Sequence, residues 1–159
     1  FVFEVPGYNL EGNELGAAFG LTQLKSLRRN IEIREKNFNL QNDFFSKYDQ
    51  IFSIPEQAKN IKTAWLAYPI LINKEANFKR KDFQIFLEKR DIQTRVVFTG
   101  NIIRQPMMNN VKYRTNKNGY PNSDAVMERG VLLPLHHGMT DNMFKRLHLT
   151  IEEFIQKNM

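Results

Sequence analysis

One apolar stripe along the first third of the chain is the sequence feature that most limits the fold. Five large apolar residues follow one another at intervals of three, four or seven: Leu24, Leu27, Ile31, Phe38 and Phe45. Residues at these intervals share one face of a helix, so the pattern predicts a single helix over 14–48, with Asn13 as its N-cap. At 1.5 Å per residue such a helix is roughly 50 Å long, more than one domain of this size covers. We therefore expect it to bridge to another domain or subunit, with an incomplete core at its N-terminal end.

The rest of the chain alternates short apolar segments with amphipathic ones. Aromatic and β-branched runs predict strands, and charged segments with apolar residues at helical spacing predict helices. In chain order they are a strand over 64–72, a helix over 81–90, a strand over 92–98, a polar loop over 99–121, a helix over 122–129, a strand over 131–135 and a helix from 140. Pro69 indicates an edge position or a bulge, Asn122-Ser123-Asp124 a helix cap, and Gly130 a helix stop. Few strands with flanking helices predict an α+β fold with a small antiparallel sheet.

Composition excludes several classes of protein. The chain has no cysteine, which excludes a disulfide, a thiolate zinc site or an iron–sulfur cluster held by this segment. No apolar run reaches the roughly 20 residues of a membrane-spanning helix, and residues 1–6 do not resemble a signal peptide. We therefore expect a cytoplasmic protein without a membrane span. Because residue 1 is not methionine, we also expect the chain to begin inside a longer protein.

The net charge of +6, with an isoelectric point near 9.6, favours an anionic partner. Nucleic acid, membrane headgroups and a phosphorylated small molecule all satisfy that condition. The positive residues are dispersed and many lie beside acids, which is typical of a solvated surface. The aromatic residues have the spacing of a core and not of an exposed strand platform, so a basic nucleic-acid-binding module is only a distant alternative.

A Tyr-Asn pair before the long helix is the first candidate binding motif. Gly7-Tyr8-Asn9-Leu10 precedes a helical segment that contains Gly16, Ala17 and Gly20. A turn followed by a closely packed helix explains the small residues. The polar pair is also suited to holding an anion, such as phosphate, at the positive end of the helix.

Histidines, arginines and amides lie near the ends of the predicted strands. His136 and His137 follow the last strand and, on extended backbone, would point to opposite faces, so we predict no metal site. Arg95 lies in the strand over 92–98, and Asn101 and Arg104 lie in the loop after it. Arginines suit phosphate or carboxylate and amides suit sugar hydroxyls, but the same residues also suit a capped loop with solvated arginines. The residues alone predict a ligand-binding α+β domain.

These motifs, in this order, resemble one enzyme family. Gly7-Tyr8-Asn9 and the Ala-Ala-Phe-Gly-Leu-x-Gln-Leu helix after it resemble the hinge of DegT/DnrJ/EryC1/StrS-type nucleotide-sugar aminotransferases, which use pyridoxal 5′-phosphate (PLP), and of their dehydratase relatives. The resemblance continues through the motifs at 65–69, 94–95, 100–106, 122–124 and 135–140. The Thr-Arg…Gly-Asn…Arg-Gln-Pro run is most similar to the 4-keto-6-deoxyhexose 3-dehydratase branch.

The resemblance implies how the chain is organised. Residues 1–50 would form the end of a large domain and the long interdomain helix, and residues 51–159 the small C-terminal domain of the aspartate-aminotransferase-like fold (PLP fold type I). The large domain would lie upstream, with the cofactor-bearing lysine of aminotransferases, or the histidine that replaces it in dehydratases, and any iron–sulfur cluster. The chain by itself is then expected to contain no catalytic residue and to be inactive.

The resemblance also implies roles for single residues. Asn9 matches the asparagine that reaches the cofactor phosphate of the partner subunit, so the full-length protein is expected to be a homodimer. His136 matches a histidine expected near the bound nucleotide-diphosphate sugar, and Arg95, Asn101 and Arg104 are further candidates for contacts with that substrate.

The expected function is that of an enzyme using PLP or pyridoxamine 5′-phosphate (PMP) in deoxysugar or lipopolysaccharide synthesis. A 4-keto-6-deoxyhexose 3-dehydratase is the first expectation, and a nucleotide-sugar aminotransferase is the alternative. In both, the cofactor carries the difficult chemistry and the protein orients the substrate.

Overall fold

The computed structural model describes residues 12–158, and the long predicted helix is its dominant element. Helix α1 spans Glu14–Phe45 and is followed by a short 3₁₀ helix at Ser46–Tyr48. The helix is capped as predicted, because the side-chain oxygen of Asn13 accepts a hydrogen bond from the Gly16 amide at 2.6 Å. The prediction of one helix over 14–48 is confirmed.

The apolar stripe of α1 is buried at one end only. Phe38 and Phe45 are 5% and 0% exposed, whereas Leu24 and Leu27 are 63% and 48% exposed and Leu15 is 85% exposed. The last turns of α1 therefore belong to the core, and the N-terminal half extends into solvent. Within the described residues, the expectation of an incomplete core at this end is confirmed.

The other elements form a four-stranded antiparallel sheet with flanking helices. They are, in chain order, β1 (Phe52–Ser53), β2 (Tyr68–Ile72), α2 (Arg80–Glu88), β3 (Arg95–Val96), α3 (Pro121–Arg129), β4 (Gly130–Leu133) and α4 (Asp141–Asn158), with 3₁₀ helices at Ile102–Arg104 and Pro106–Asn110. The strand order is β1-β2-β4-β3, and every neighbouring pair is antiparallel. The predicted α+β fold is confirmed. None of the described helices is long and apolar enough to cross a membrane.

Two strands are shorter than the sequence predicts, for local reasons. The strand predicted over 92–98 is reduced to β3, because Asp91 and Phe98 adopt left-handed φ angles of 56° and 46° and turn the chain at either side. Strand β4 ends before Pro134, which has no amide hydrogen to donate to a neighbouring strand. Strand β1 escaped prediction because two residues are too few to show alternation.

Strand β2 also starts later than predicted. Residues 64–67 lie outside it, and the Trp65 ring stacks on Phe38 of α1 with centroids 4.8 Å apart. Pro69 pairs with Leu132 of β4, in the part of β2 that β1 does not reach. The edge position that Pro69 indicates is therefore confirmed for this half of the strand only, since the other half lies between two neighbours.

Helix α3 lacks the predicted cap. It begins at Pro121, and Tyr120 in the N-cap position makes no side-chain cap bond. Proline fits the first helical position because its missing N–H needs no partner there. The helix ends before Gly130 as predicted, and a side chain there would bring its Cβ within 2.6 Å of the Val126 carbonyl oxygen.

A half-buried histidine joins α1 to α4. The His148 ring stacks on Phe44, with centroids 3.9 Å apart, and its Nε2 lies 2.9 Å from Oε1 of Gln41. Burial, with a smaller contribution from the positive charge of Lys47, lowers the pKa of His148 to about 4. The ring is therefore neutral at pH 7, and its Nε2–H donates to Gln41.

We predict that this histidine makes stability fall in mild acid. The unfolded chain binds the proton near the ordinary pKa of 6.5 and the folded chain near 4, so the free energy of unfolding decreases as the pH falls between these values. The expected loss is about 1–2 kcal/mol, less than the full shift implies because the ring is partly exposed. Urea unfolding at a series of pH values from 7 to 4 measures this loss. The His148→Gln variant keeps a hydrogen-bond donor without titrating, so its free energy of unfolding should decrease less over the same range. Parallel curves for the two proteins would contradict the prediction.

Candidate functional site

A cavity of about 380 Å³ lies between the β3–β4 edge of the sheet and the N-terminal part of α4. Its charged and polar lining includes Arg95 of β3, His136 after β4 and Arg146 of α4, and Met139 and Met143 form part of its apolar wall. Two guanidinium groups and an imidazole beside an apolar wall suit an anionic ligand that also carries less polar parts.

A local hydrogen bond determines which tautomer the neutral His136 ring adopts. Its Nδ1 accepts a hydrogen bond from the Gly138 amide at 3.1 Å. In the neutral ring this leaves Nε2 as the protonated nitrogen, and His136 is exposed. His136 can therefore donate a hydrogen bond to a ligand in the cavity.

Two charged residues that the sequence analysis did not single out also line the cavity. Arg146 donates to the carbonyl of Arg90 and lies 3.4 Å from Oδ2 of Asp91. Asp91 follows α2 in the left-handed conformation, which aspartate tolerates better than most residues. Helical spacing could have revealed Arg146, because it lies three residues after Met143 and shares that residue's face of α4.

Asn101 and Arg104 do not line this cavity but bind Asp124 at the start of α3. Arg104 donates to the two carboxylate oxygens at 3.0 and 2.8 Å, and the Asn101 amide donates to Oδ1 at 2.8 Å. The Arg104 and Asn101 hydrogen bonds lower the pKa of Asp124 to about 2, so the carboxylate is ionised at neutral pH. The structure thus brings Arg95 and His136 together and holds Asn101 and Arg104 in a separate group, which ties the loop after β3 to α3.

The residues that line the cavity offer no group for covalent attachment of PLP. No lysine is among the residues that line the cavity, so PLP does not fit there as a covalently bound group. Asn9 lies outside the described residues, and its contact with a cofactor phosphate stays a prediction. Within residues 12–158, no group of three His, Asp or Glu side chains could hold a metal ion.

Comparison with known proteins shows the family. Residues 1–152 match the model of the DegT/DnrJ/EryC1/StrS aminotransferase family, so the chain belongs to this family. It is a family of PLP-dependent, sugar-modifying enzymes that serve deoxysugar and lipopolysaccharide synthesis, with dehydratases as well as aminotransferases among its members. The resemblance stated from the sequence is confirmed.

Two relatives cover almost the whole chain. The dTDP-4-dehydro-2,6-dideoxy-D-glucose 3-dehydratase of Saccharopolyspora spinosa is 32% identical over 99% of the chain, and the lipopolysaccharide biosynthesis protein RfbH of Salmonella typhimurium is 30% identical over 96%. The matches cover 34% and 35% of these two proteins. The chain therefore spans about a third of the length of the curated relatives it matches.

A solved structure shows the same fold. The GDP-4-keto-6-deoxy-D-mannose-3-dehydratase of Escherichia coli, with bound hydrated PLP, superposes with a TM-score of 0.76 at 24% identity. The superposition covers 92% of this chain and 36% of that one. The long helix and the small sheet thus reproduce the architecture of part of an aminotransferase-fold enzyme.

We predict that Asp124→Asn lowers stability at neutral pH, because it removes the ion pair with Arg104. The contribution of this carboxylate is present above its usual pKa of 3.8 and is lost as the pH falls through about 2. The Tm difference from the natural protein should therefore shrink on acidification, in thermal scans by circular dichroism. Asp43→Asn, on the exposed face of α1, is the matched control and should leave Tm unchanged. A Tm difference for Asp124→Asn that does not depend on pH would refute this prediction.

Proposed function

We propose that the full-length protein is a PLP- or PMP-dependent enzyme that acts on a nucleotide-diphosphate sugar, as a 4-keto-6-deoxyhexose 3-dehydratase of deoxysugar or lipopolysaccharide synthesis. The observation that carries the proposal is the meeting of Arg95 and His136 at one cavity in a chain of this family. The similarity to a 3-dehydratase over 99% of the chain favours dehydration. A nucleotide-sugar aminotransferase is the alternative, because the family includes such enzymes.

The cavity chemistry supports a nucleotide-diphosphate sugar as the substrate. Arg95 and Arg146 supply forked donors that suit a diphosphate, and the Nε2–H of His136 suits an oxygen of the sugar or phosphate. Met139 and Met143 supply apolar surface against which less polar parts of the substrate can pack. PLP, when bound, supplies an electron sink for charge that develops on the sugar, and the residues of this chain bind and orient the substrate.

The exposed half of α1 supports a larger protein around this chain. We propose that residues 1–50 join the small domain over 51–159 to an upstream large domain, and that the full-length protein is a homodimer in which Asn9 contacts the partner's cofactor. Support comes from the exposed apolar residues of α1, and from the chain's length, about a third of its relatives. Apolar surface of this extent is normally covered in the complete protein.

Substitutions at the cavity should weaken substrate binding. In the full-length protein, Arg95→Gln and His136→Asn are each expected to raise the Kd for the nucleotide-diphosphate sugar about 10- to 100-fold, the effect of losing one hydrogen bond to a charged group. Isothermal titration calorimetry measures the change. Arg114→Gln, in the exposed loop, and His137→Asn, beside His136, are matched controls. If all four variants bound alike, the substrate would not occupy this cavity.

The dehydratase and the aminotransferase are distinguished by how the cofactor is held. We would reduce the full-length protein with borohydride and determine its intact mass. For the proposed 3-dehydratase we expect no covalent gain, with PMP released on denaturation. A gain of one cofactor mass would identify a cofactor-bearing lysine and favour the aminotransferase. If neither PLP nor PMP were found, both proposed activities would be rejected.

A further inference from the structure

The backbone that carries His136 is held by two buried amides of α1. The Asn37 side chain donates to the carbonyl oxygens of Leu135 and His136 at 3.4 and 3.1 Å, and the Gln41 side chain donates to the carbonyl oxygen of Pro134 at 3.3 Å. These three consecutive carbonyls follow the end of β4 at Leu133 and lie outside the sheet ladder. Amides one helical turn apart in α1 therefore donate to all three carbonyls, and the His136 carbonyl also accepts from the Met139 amide at 3.1 Å.

Burial makes the two amides an unusual choice for these positions. Asn37 is 5% exposed and Gln41 is 0% exposed, on the helix face that also carries Phe38, Phe44 and Phe45. A buried amide is destabilising unless it is hydrogen-bonded, so an apolar residue would serve better if packing were the only requirement. Both amides find their partners in the residues that lead into the cavity.

His148 fixes the orientation of the second amide. The side-chain oxygen of Gln41 accepts from Nε2 of His148 at 2.9 Å, which directs the nitrogen of the same amide toward the Pro134 carbonyl. The stack of His148 on Phe44 holds this arrangement from the side of α4. The contact thus links both helices to the segment over 134–136.

We propose that Asn37 and Gln41 are positioning residues, which set His136 for contact with the substrate. The inference rests on the proposed function, in which His136 donates to the nucleotide-diphosphate sugar. By binding the carbonyls of residues 134–136, on both sides of the His136 α-carbon, the two amides fix the backbone where the turn that contains Gly138 begins, and the Gly138 amide in that turn sets the His136 tautomer. These hydrogen bonds also connect α1 to the cavity, so a shift of the helix would move the backbone that carries His136.

The first test combines binding with a spectroscopic signal in the full-length protein. Asn37→Asp keeps the shape but replaces the donor with an acceptor, and Asn37→Ser is a gentler, uncharged variant if the buried charge prevents folding. Both are expected to raise the Kd for the nucleotide-diphosphate sugar, about tenfold for the stronger variant. The ¹⁵N chemical shifts of the His136 ring should indicate the Nε2–H tautomer alone in the unsubstituted protein and a mixture of the two tautomers in the variants. Asn39→Asp and Asn39→Ser, on the exposed face of the same helix turn, are the matched controls.

A double-mutant cycle separates positioning from mere stability. In the His136→Ala background, Asn37→Ser should produce no further rise in Kd, because its effect acts through the missing imidazole. Additive effects, or unchanged His136 ring shifts in a folded Asn37 variant, would overturn the inference. If His136→Ala itself bound substrate normally, the role of His136 in the proposed function would fail, and the ring shifts alone would still decide whether Asn37 and Gln41 position it.

Discussion

The packing of the last turns of α1 against the sheet is the constraint on which the rest of the structure depends. Phe45 stacks on Tyr68 of β2 and meets Phe52 of β1 edge-on, which buries aromatic surface between helix and sheet. The hydrophobic burial of these rings is non-directional and by itself favours no single register. The hydrogen bonds of the buried Asn37 and Gln41 amides are directional, and losing them would leave a buried amide unpaired, which costs about 1–3 kcal/mol. Burial of the aromatic rings therefore stabilises the contact between helix and sheet, and the amide hydrogen bonds fix the position of the helix.

The candidate site follows from that position. Strand β4 ends at Leu133, the next three carbonyls are taken by α1, and the chain turns into α4 with His136 at the turn. Arg95 comes from the neighbouring edge strand, and Arg146 comes from α4. Arg95 is distant in sequence from His136 and Arg146, and it meets them at one cavity because β3 pairs with β4 in the sheet. The loop after β3 is tied separately through Arg104 and Asp124, and its arginine lies away from the cavity.

Helix α1 has two halves with different physical roles. Its C-terminal turns complete a core, and its N-terminal half exposes apolar side chains that nothing among the described residues covers. This division agrees with a chain that spans about a third of its relatives' length and belongs to a family of PLP-dependent, sugar-modifying enzymes. The proposal that α1 is an interdomain helix would explain both its buried half and its exposed half.

Local sequence determined the features that depend on neighbours along the chain. The periodicity of α1 and its Asn13 cap, the small antiparallel sheet and the last helix were all predictable, as was the family, from motifs spread over the chain. Strand lengths were not predictable, because left-handed residues such as Phe98 and the Trp65–Phe38 stack depend on nonlocal packing. The same holds for the site. The sequence indicated Arg95, His136, Asn101 and Arg104 as polar candidates, and only the tertiary structure divided them, since hydrogen bonds such as Arg104 to Asp124 and Asn37 to His136 join residues that periodicity cannot connect.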